Sequence, residues 1–332
     1  MAARRRPERR EPSEDAAVVL YNADMSARFS ADAAIPTVDD SKPFHAGDAL
    51  VVRVATTGAA TCVGLDPVVE RLPDGLAPSN PRDAAACAHA IERFAEDVIE
   101  SVAAEAAAVK IQAACFERYG PEGFAAMWRV LSSARRAGLV VILDFKRGDI
   151  GISAEHYAAS ARAAGAHWTT VSAYLGADGV LPFLASGAGA FALVRTSNPS
   201  GDLLQSARLA TGETVAEHVA RLVDVLGRAS IGASGFSTLG AVVGATKRAE
   251  IAALRERMPH AVFLVPGYGA QGGAADDVRA CFVDRGEGAI VTSSRAILYP
   301  KAAPGTGHRI AIRDAARVFA DEIRAISGPC RR

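Results

Sequence analysis

From Thr61 onward the chain repeats one pattern: a short apolar run ends in Gly, Asp, Ser or Pro, and an Ala-rich segment of helical spacing follows. Eight runs fit it: Thr61 to Leu65, Ala107 to Ile111, Leu139 to Leu143, Trp168 to Ser172, Ala190 to Val194, Leu239 to Val243, Val262 to Val265 and Ala289 to Val291. Residues 81–106, 123–138 and 154–165 are helical segments between them. Strands that are apolar throughout, and separated by helices, belong to a parallel sheet buried on both faces. Eight such units make a closed (β/α)8 TIM barrel, a single α/β domain, the economical fold. An open doubly wound sheet would require some of these runs to be something else.

Length and composition agree. A chain of 332 residues that is 50% hydrophobic can bury a large core. Division by ~150 residues per domain would suggest two domains, but βα barrels of ~250 residues are an exception to that count. Residues 1–45 stand apart: five arginines within the first ten positions are followed by a stretch rich in Asp, Ala and Ser. They are expected to be a disordered N-terminal extension, with residues 46–332 forming the barrel. Lys+Arg and Asp+Glu are 37 each, so no global basic field gathers nucleic acid or an anionic membrane. No apolar stretch approaches the ~18 residues of a membrane span. The N-terminus has no apolar core of a secretory signal. Five widely spaced cysteines without a C-x-x-C pair fit a reducing compartment. A soluble, cytoplasmic protein is expected.

In a barrel the chemistry gathers where strands end at their C-terminal side. Here those ends carry Asp66, Lys110, Asp144, Lys146, Ser197, Gln271 and Arg295. The densest segment is VVILDFKRGDIG, residues 140–151. Asp144 and Lys146, two apart on a strand, share a face toward the barrel mouth, and Phe145 points to the covering helices. Asp149 follows in the loop and Ser153 begins a helix. Two carboxylates around Lys146 would keep it protonated, a proton donor rather than a base. Asp66 and Lys110 add one charge of each sign, an array suited to electrostatic preorganisation. Taken singly, Asp66 could cap a turn before Pro67 and Lys110 could extend from a strand end.

After the seventh run, VPGYGAQGG matches G-x-G-x-x-G at Gly267, Gly269 and Gly272. A dinucleotide fingerprint should open the first βαβ unit and be followed by an acid at the next strand end. Here the next run ends in Ser293, Ser294 and Arg295. A phosphate site in the last two loops of a barrel fits better: Gln271 can donate an amide, and Arg295 can grip a dianion bidentately.

With these residues assembled, the chain resembles the orotidine 5′-phosphate decarboxylase family, in its longer bacterial-type branch. The matching segments run in order: CVGLDP, VKIQAACFERYG, LDFKRGDIG, SAYLGADG, LVRTSNPSG, GAVVGATK, FLVPGYGAQGG and TSSRAILYP. The resemblance implies a homodimeric barrel that decarboxylates orotidine 5′-phosphate to uridine 5′-phosphate without metal or organic cofactor. It implies that Asp144 sits against the substrate carboxylate and that Lys146 protonates C6. Asp149, with Ile150 and Ser153, would reach the neighbouring subunit's site. Asp66 and Lys110 would hold the ribose, Ser197 the pyrimidine, and Gln271, Gly272 and Arg295 the phosphate. Metal-dependent sugar-phosphate enzymes of the superfamily carry an acid where this chain has Lys110, which disfavours that reading.

Four positions depart from the family's usual residues: Gln112, Phe145, Ser153 and Ala296. Gln112 and Ser153 keep hydrogen-bonding chemistry, and Ala296 could stiffen the phosphate loop. The departures leave open a paralogue acting on a modified nucleotide. A metal-dependent sugar-phosphate lyase and a catalytically silent nucleotide-binding protein are the other readings.

Overall fold

The computed structural model describes residues 44–245, 248–268, 275–283, 286–301, 303 and 305–328. Eight parallel strands pair in chain order, and the last returns to the first, closing the barrel: β1 Thr61–Leu65, β2 Ala108–Gln112, β3 Val140–Arg147, β4 Trp168–Val171, β5 Gly189–Arg195, β6 Leu239–Val243, β7 Phe263–Val265 and β8 Ala289–Ser293. Each lies within two residues of its expected ends, except that β3 runs on to Arg147. The surrounding helices are α1 Ala46–Thr57, α2 Ala84–Val102, α3 Gly120–Arg136, α4 Gly151–Ala163, α5 Val215–Gly227, α6 Arg248–Arg257 and α7 His308–Ser327. Between β4 and β5 the crossover is three 3-10 segments, Ala173–Leu175, Ala177–Gly179 and Leu181–Gly187, rather than an α-helix.

The strands are apolar throughout because both faces are covered; every residue of β1, β4, β6 and β7 is buried. Two large aromatics fit because a glycine faces each on the next strand. Trp168 is paired with Gly189 and Phe191 with Gly240, and the two rings stack at 4.3 Å. A Cβ at Gly189 would lie 2.3 Å from the Trp168 ring, and one at Gly240 would lie 2.6 Å from the Phe191 ring. Close packing of this kind makes the barrel a rigid frame for side chains at its rim.

Helix α1, which the strand pattern had not anticipated, covers the opposite rim. His45 caps it by accepting from Asp48 N at 3.1 Å. Asp48 then accepts from Ala233 N at 3.1 Å and Ser234 N at 2.8 Å, just before β6. Leu50 and Val54 of α1 face Val262, Gly288 and Ala289, where β7 and β8 begin. Among the described residues, α1 thus covers the N-terminal end of the barrel next to β7 and β8. The expected extension lies outside the described residues up to residue 43; Phe44 packs against His167, ring centroids 5.4 Å apart. Among the described residues, no helix is long and apolar enough to cross a membrane.

Candidate active site

At the C-terminal rim lies a cavity of about 380 Å³ whose lining includes Asp66, Lys110, Asp144, Lys146, Ser197 and Arg295. Six of the residues singled out from sequence thus converge, contributed by loops or strand ends of β1, β2, β3, β5 and β8. At its base, Lys110 and Asp144 are buried, 7% and 4% exposed. Lys110 Nζ donates to Asp144 Oδ2 at 2.6 Å and lies 3.7 Å from Asp66 Oδ1. Lys146 Nζ donates to the other Asp144 oxygen, Oδ1, at 2.6 Å. Gln112 Nε2 also donates to Oδ2, at 3.4 Å.

Asp144 is therefore a carboxylate clasped between two ammonium groups. Burial alone would push its carboxyl up, but Lys110 and Lys146 outweigh burial and hold it at about 2. Burial would likewise lower the Lys110 ammonium, and Asp66 and Asp144 reverse that, raising it above its ordinary value. Asp144 and Lys110 each hold the other in its ionised form at neutral pH. Lys110 Nζ thus lies within 4 Å of a carboxylate oxygen of both Asp66 and Asp144. Among the described residues, no group of three or more His, Cys, Asp or Glu side chains is placed to hold a metal ion.

The pairing of Asp144 and Lys146 arises differently from the expected regular strand. Leu143 pairs with Thr169, and Arg147 with Val171. Three residues of β3, Asp144 to Lys146, therefore bulge opposite the single β4 residue Thr170. Lys146 takes φ 44° there, the one non-glycine in the left-handed region among the described residues. Such a conformation costs a lysine on the order of 1–3 kcal/mol and persists only where surroundings enforce it. Phe145 meets Phe183 edge-on, centroids 6.1 Å apart. Thr170, missed in the sequence, donates to Asp144 Oδ1 at 2.8 Å and accepts from Lys146 N at 2.9 Å.

Ser197 is held by its loop. The preceding Arg195, 2% exposed, donates to Glu250 at 2.7 Å and to Asp202 at 2.8 Å. Thr196 N donates to Gln205 at 2.9 Å. Arg295, which also lines the cavity, opens the short helix Arg295–Leu298. Arg71, also unanticipated, lines the same cavity and rests on the Tyr299 ring, Cζ 4.2 Å from its centroid. Gly267 has φ 95°, a turn suited to glycine. Gln271 and Gly272, expected to bind phosphate, lie outside the described residues, as does Gly269.

Asp149, Ile150 and Ser153 are not among the residues lining this cavity. Asp149 Oδ1 accepts from Ile150 N at 2.9 Å. Around it lies an apolar patch: Ile150 and Ile152 are 53% and 69% exposed, Tyr174 and Leu175 81% and 45%. Burial pushes the Cys62 thiol near the charges up to about 12 and the Cys115 thiol up to about 11, which favours the protonated thiol over the thiolate.

The sequence pattern of the orotidine 5'-phosphate decarboxylase / HUMPS family matches residues 61–306. An orotidine 5'-phosphate decarboxylase of Rhodopirellula baltica is 44% identical over 265 residues, covering 75% of this chain and 87% of that protein. One from Herpetosiphon aurantiacus is 38% identical over 278 residues, 83% of this chain and 97% of that protein. The solved OMP decarboxylase of Leishmania donovani superposes with a TM-score of 0.69 at 32% identity, covering 86% of this chain and 99% of that one. The match spans all eight strands and every cavity residue named above, and this chain belongs to the orotidine 5'-phosphate decarboxylase / HUMPS family.

Proposed function

We propose that this chain is a carboxy-lyase that converts orotidine 5′-phosphate to uridine 5′-phosphate, the last step of de novo pyrimidine nucleotide synthesis. One observation carries the reading. A Lys110–Asp144–Lys146 charge row, with Lys110 and Asp144 buried and Lys146 reaching them from the open side, stands in the same cavity as Arg295, so a nucleotide can present its base to the row and its phosphate to the arginine. The named relatives, which are orotidine 5'-phosphate decarboxylases, support it.

In this reading the substrate carboxylate lies against ionised Asp144, whose negative charge favours its departure as neutral carbon dioxide. The bond from C6 to the carboxyl carbon breaks and leaves its electron pair on C6. Lys146 supplies the proton that forms the new C6–H bond, and its neutral amine is reprotonated from solvent. Lys110 holds Asp144 in place and, with Asp66, takes the ribose hydroxyls. Ser197 contacts the pyrimidine; Gln271, Gly272 and Arg295 bind the phosphate. Preorganised charges of this kind act where charge changes during reaction, without reorganising. Phosphate binding far from C6 helps close the site, as remote binding energy can.

A homodimer completes the site. The exposed Ile150, Ile152, Tyr174 and Leu175 beside Asp149 suit burial against a second copy, with Asp149, Ile150 and Ser153 entering the partner's cavity. The catalytic unit is residues 46–332, residues 1–45 are an extension to it, and the protein works in the cytoplasm.

The test is loss of the substrate's ultraviolet absorbance on adding pure protein in chelator. Turnover is expected. Turnover that disappears with chelator would point to a metal-dependent lyase, and uridine 5′-phosphate binding without turnover to a nucleotide-binding protein. Turnover of a modified nucleotide alone would identify a paralogue.

A further inference from the structure

The strained residue in this molecule is the one assigned the proton transfer. Lys146 sits at φ 44° in a bulge where three residues of β3 oppose Thr170 alone. Thr170 is fully buried, 0% exposed. Its hydroxyl has one hydrogen, given to Asp144 Oδ1 at 2.8 Å, and it takes the Lys146 amide N–H at 2.9 Å. The same Asp144 oxygen receives Lys146 Nζ at 2.6 Å. A closed ring results: Lys146 backbone to Thr170 hydroxyl, to Asp144 oxygen, and back to the Lys146 ammonium.

We infer that Thr170 is a positioning residue for the reaction: its hydroxyl pins the Lys146 backbone in the left-handed turn and so aims the ammonium at Asp144. Without the bulge, a lysine two residues beyond Asp144 would stand parallel to it, as alternation along a strand dictates. The turn at Lys146 instead folds its side chain back so that Nζ reaches the Asp144 carboxylate, the place where the substrate carboxylate would lie. A bulge that re-aims a side chain beside an active site is a recurrent device. The left-handed turn needs a holder, because lysine does not favour it. Among the hydrogen bonds described for this segment, only the Thr170 hydroxyl joins the Lys146 main chain to Asp144. Valine has the same branched shape but can neither accept from Lys146 N nor donate to Asp144.

The inference rests on Lys146 being the proton donor, so the experiment separates the two claims. Wild-type turnover of orotidine 5′-phosphate is read first; none would sink the decarboxylase reading. Thr170→Val, Thr170→Ser and Thr170→Cys are then compared for kcat, for uridine 5′-phosphate affinity and for the position of Lys146 in crystals. Loss of aim by about an ångström is expected to lower kcat roughly 10- to 100-fold in Thr170→Val, with product affinity within about threefold of wild type. Serine, which keeps the hydroxyl, should restore kcat to within about threefold, and cysteine, a weak donor and acceptor, should not. Lys146 should leave the left-handed region in the valine variant and keep it in the serine variant, whatever the turnover. If Thr170→Val fails to fold, the serine and cysteine pair decides. A valine variant with wild-type kcat, a serine variant as slow as cysteine, or an unmoved Lys146 in Thr170→Val would overturn the inference.

Discussion

Replacing Asp144 by asparagine removes the charge at the centre of the site while keeping shape and most hydrogen-bonding capacity. Asp144 is held at about 2 against an ordinary 3.8, and at ~1.4 kcal/mol per pH unit this corresponds to about 2 kcal/mol of folding stability at neutral pH. The side chain is only 6% exposed, so solvent screening removes little of that. Asp144→Asn also leaves Lys110 buried with Asp66 alone, at 3.7 Å, which adds to the cost. The sign follows from the lowered value. The contribution is complete above about pH 4, where the unfolded carboxyl ionises, and fades as pH falls toward about 2. Urea unfolding of both proteins at pH 7, 5 and 3 should show Asp144→Asn less stable by about 2 kcal/mol or more at pH 7 and 5, with the gap shrinking at pH 3. A gap that stays flat from pH 7 to 3, or a more stable asparagine variant at pH 7, would refute the claim that the two lysines stabilise an ionised Asp144.

Arg295→Ala should weaken uridine 5′-phosphate binding by roughly 10- to 100-fold, the worth of a charge-assisted pair of about 1.5–3 kcal/mol. Binding of uridine, which has no phosphate, should not change; calorimetry on both ligands checks this, and an equal loss for uridine would argue against a phosphate role. Gly189→Ala drives a methyl within 2.3 Å of the buried Trp168 ring and should cost about 1–3 kcal/mol. A melting scan should show Tm lower by several degrees, and an unchanged Tm would mean that the strand can shift. Mixing inactive Asp149→Ala and Lys146→Ala chains should restore part of the activity, because one site of each mixed dimer then has both residues. No recovery despite verified subunit exchange would assign Asp149 to its own subunit's site.

The barrel was legible because a parallel strand covered on both faces must be apolar along its whole length, a signal visible in each of the eight runs. The charged residues were legible for the opposite reason: Asp66, Lys110, Asp144 and Lys146 interrupt or end runs that are otherwise apolar. The bulge was not, since Asp144-Phe145-Lys146 reads as a plain continuation of β3 and only pairing with β4 reveals the three residues opposite Thr170. Thr170 lay hidden within a β-branched strand, where threonine is ordinary, and its neighbours Trp168, Thr169 and Val171 do nothing to single it out. Arg71 lines the cavity while resting on the ring of Tyr299, 228 positions later in the chain, a partner no local pattern points to. Helix α1 was absorbed into the N-terminal part of the barrel without a role, though Leu50 and Val54 have the spacing of a buried helical face.

The central claim is that Lys146 serves chemistry rather than binding, and one pair of numbers tests it: kcat with orotidine 5′-phosphate and affinity for uridine 5′-phosphate, in wild type and Lys146→Ala. General acids contribute about 10²- to 10⁴-fold. The variant should therefore lose at least roughly 100-fold in kcat while holding uridine 5′-phosphate within a few-fold of wild type. A kcat near wild type, or a loss of rate matched by an equal loss of product affinity, would contradict the account.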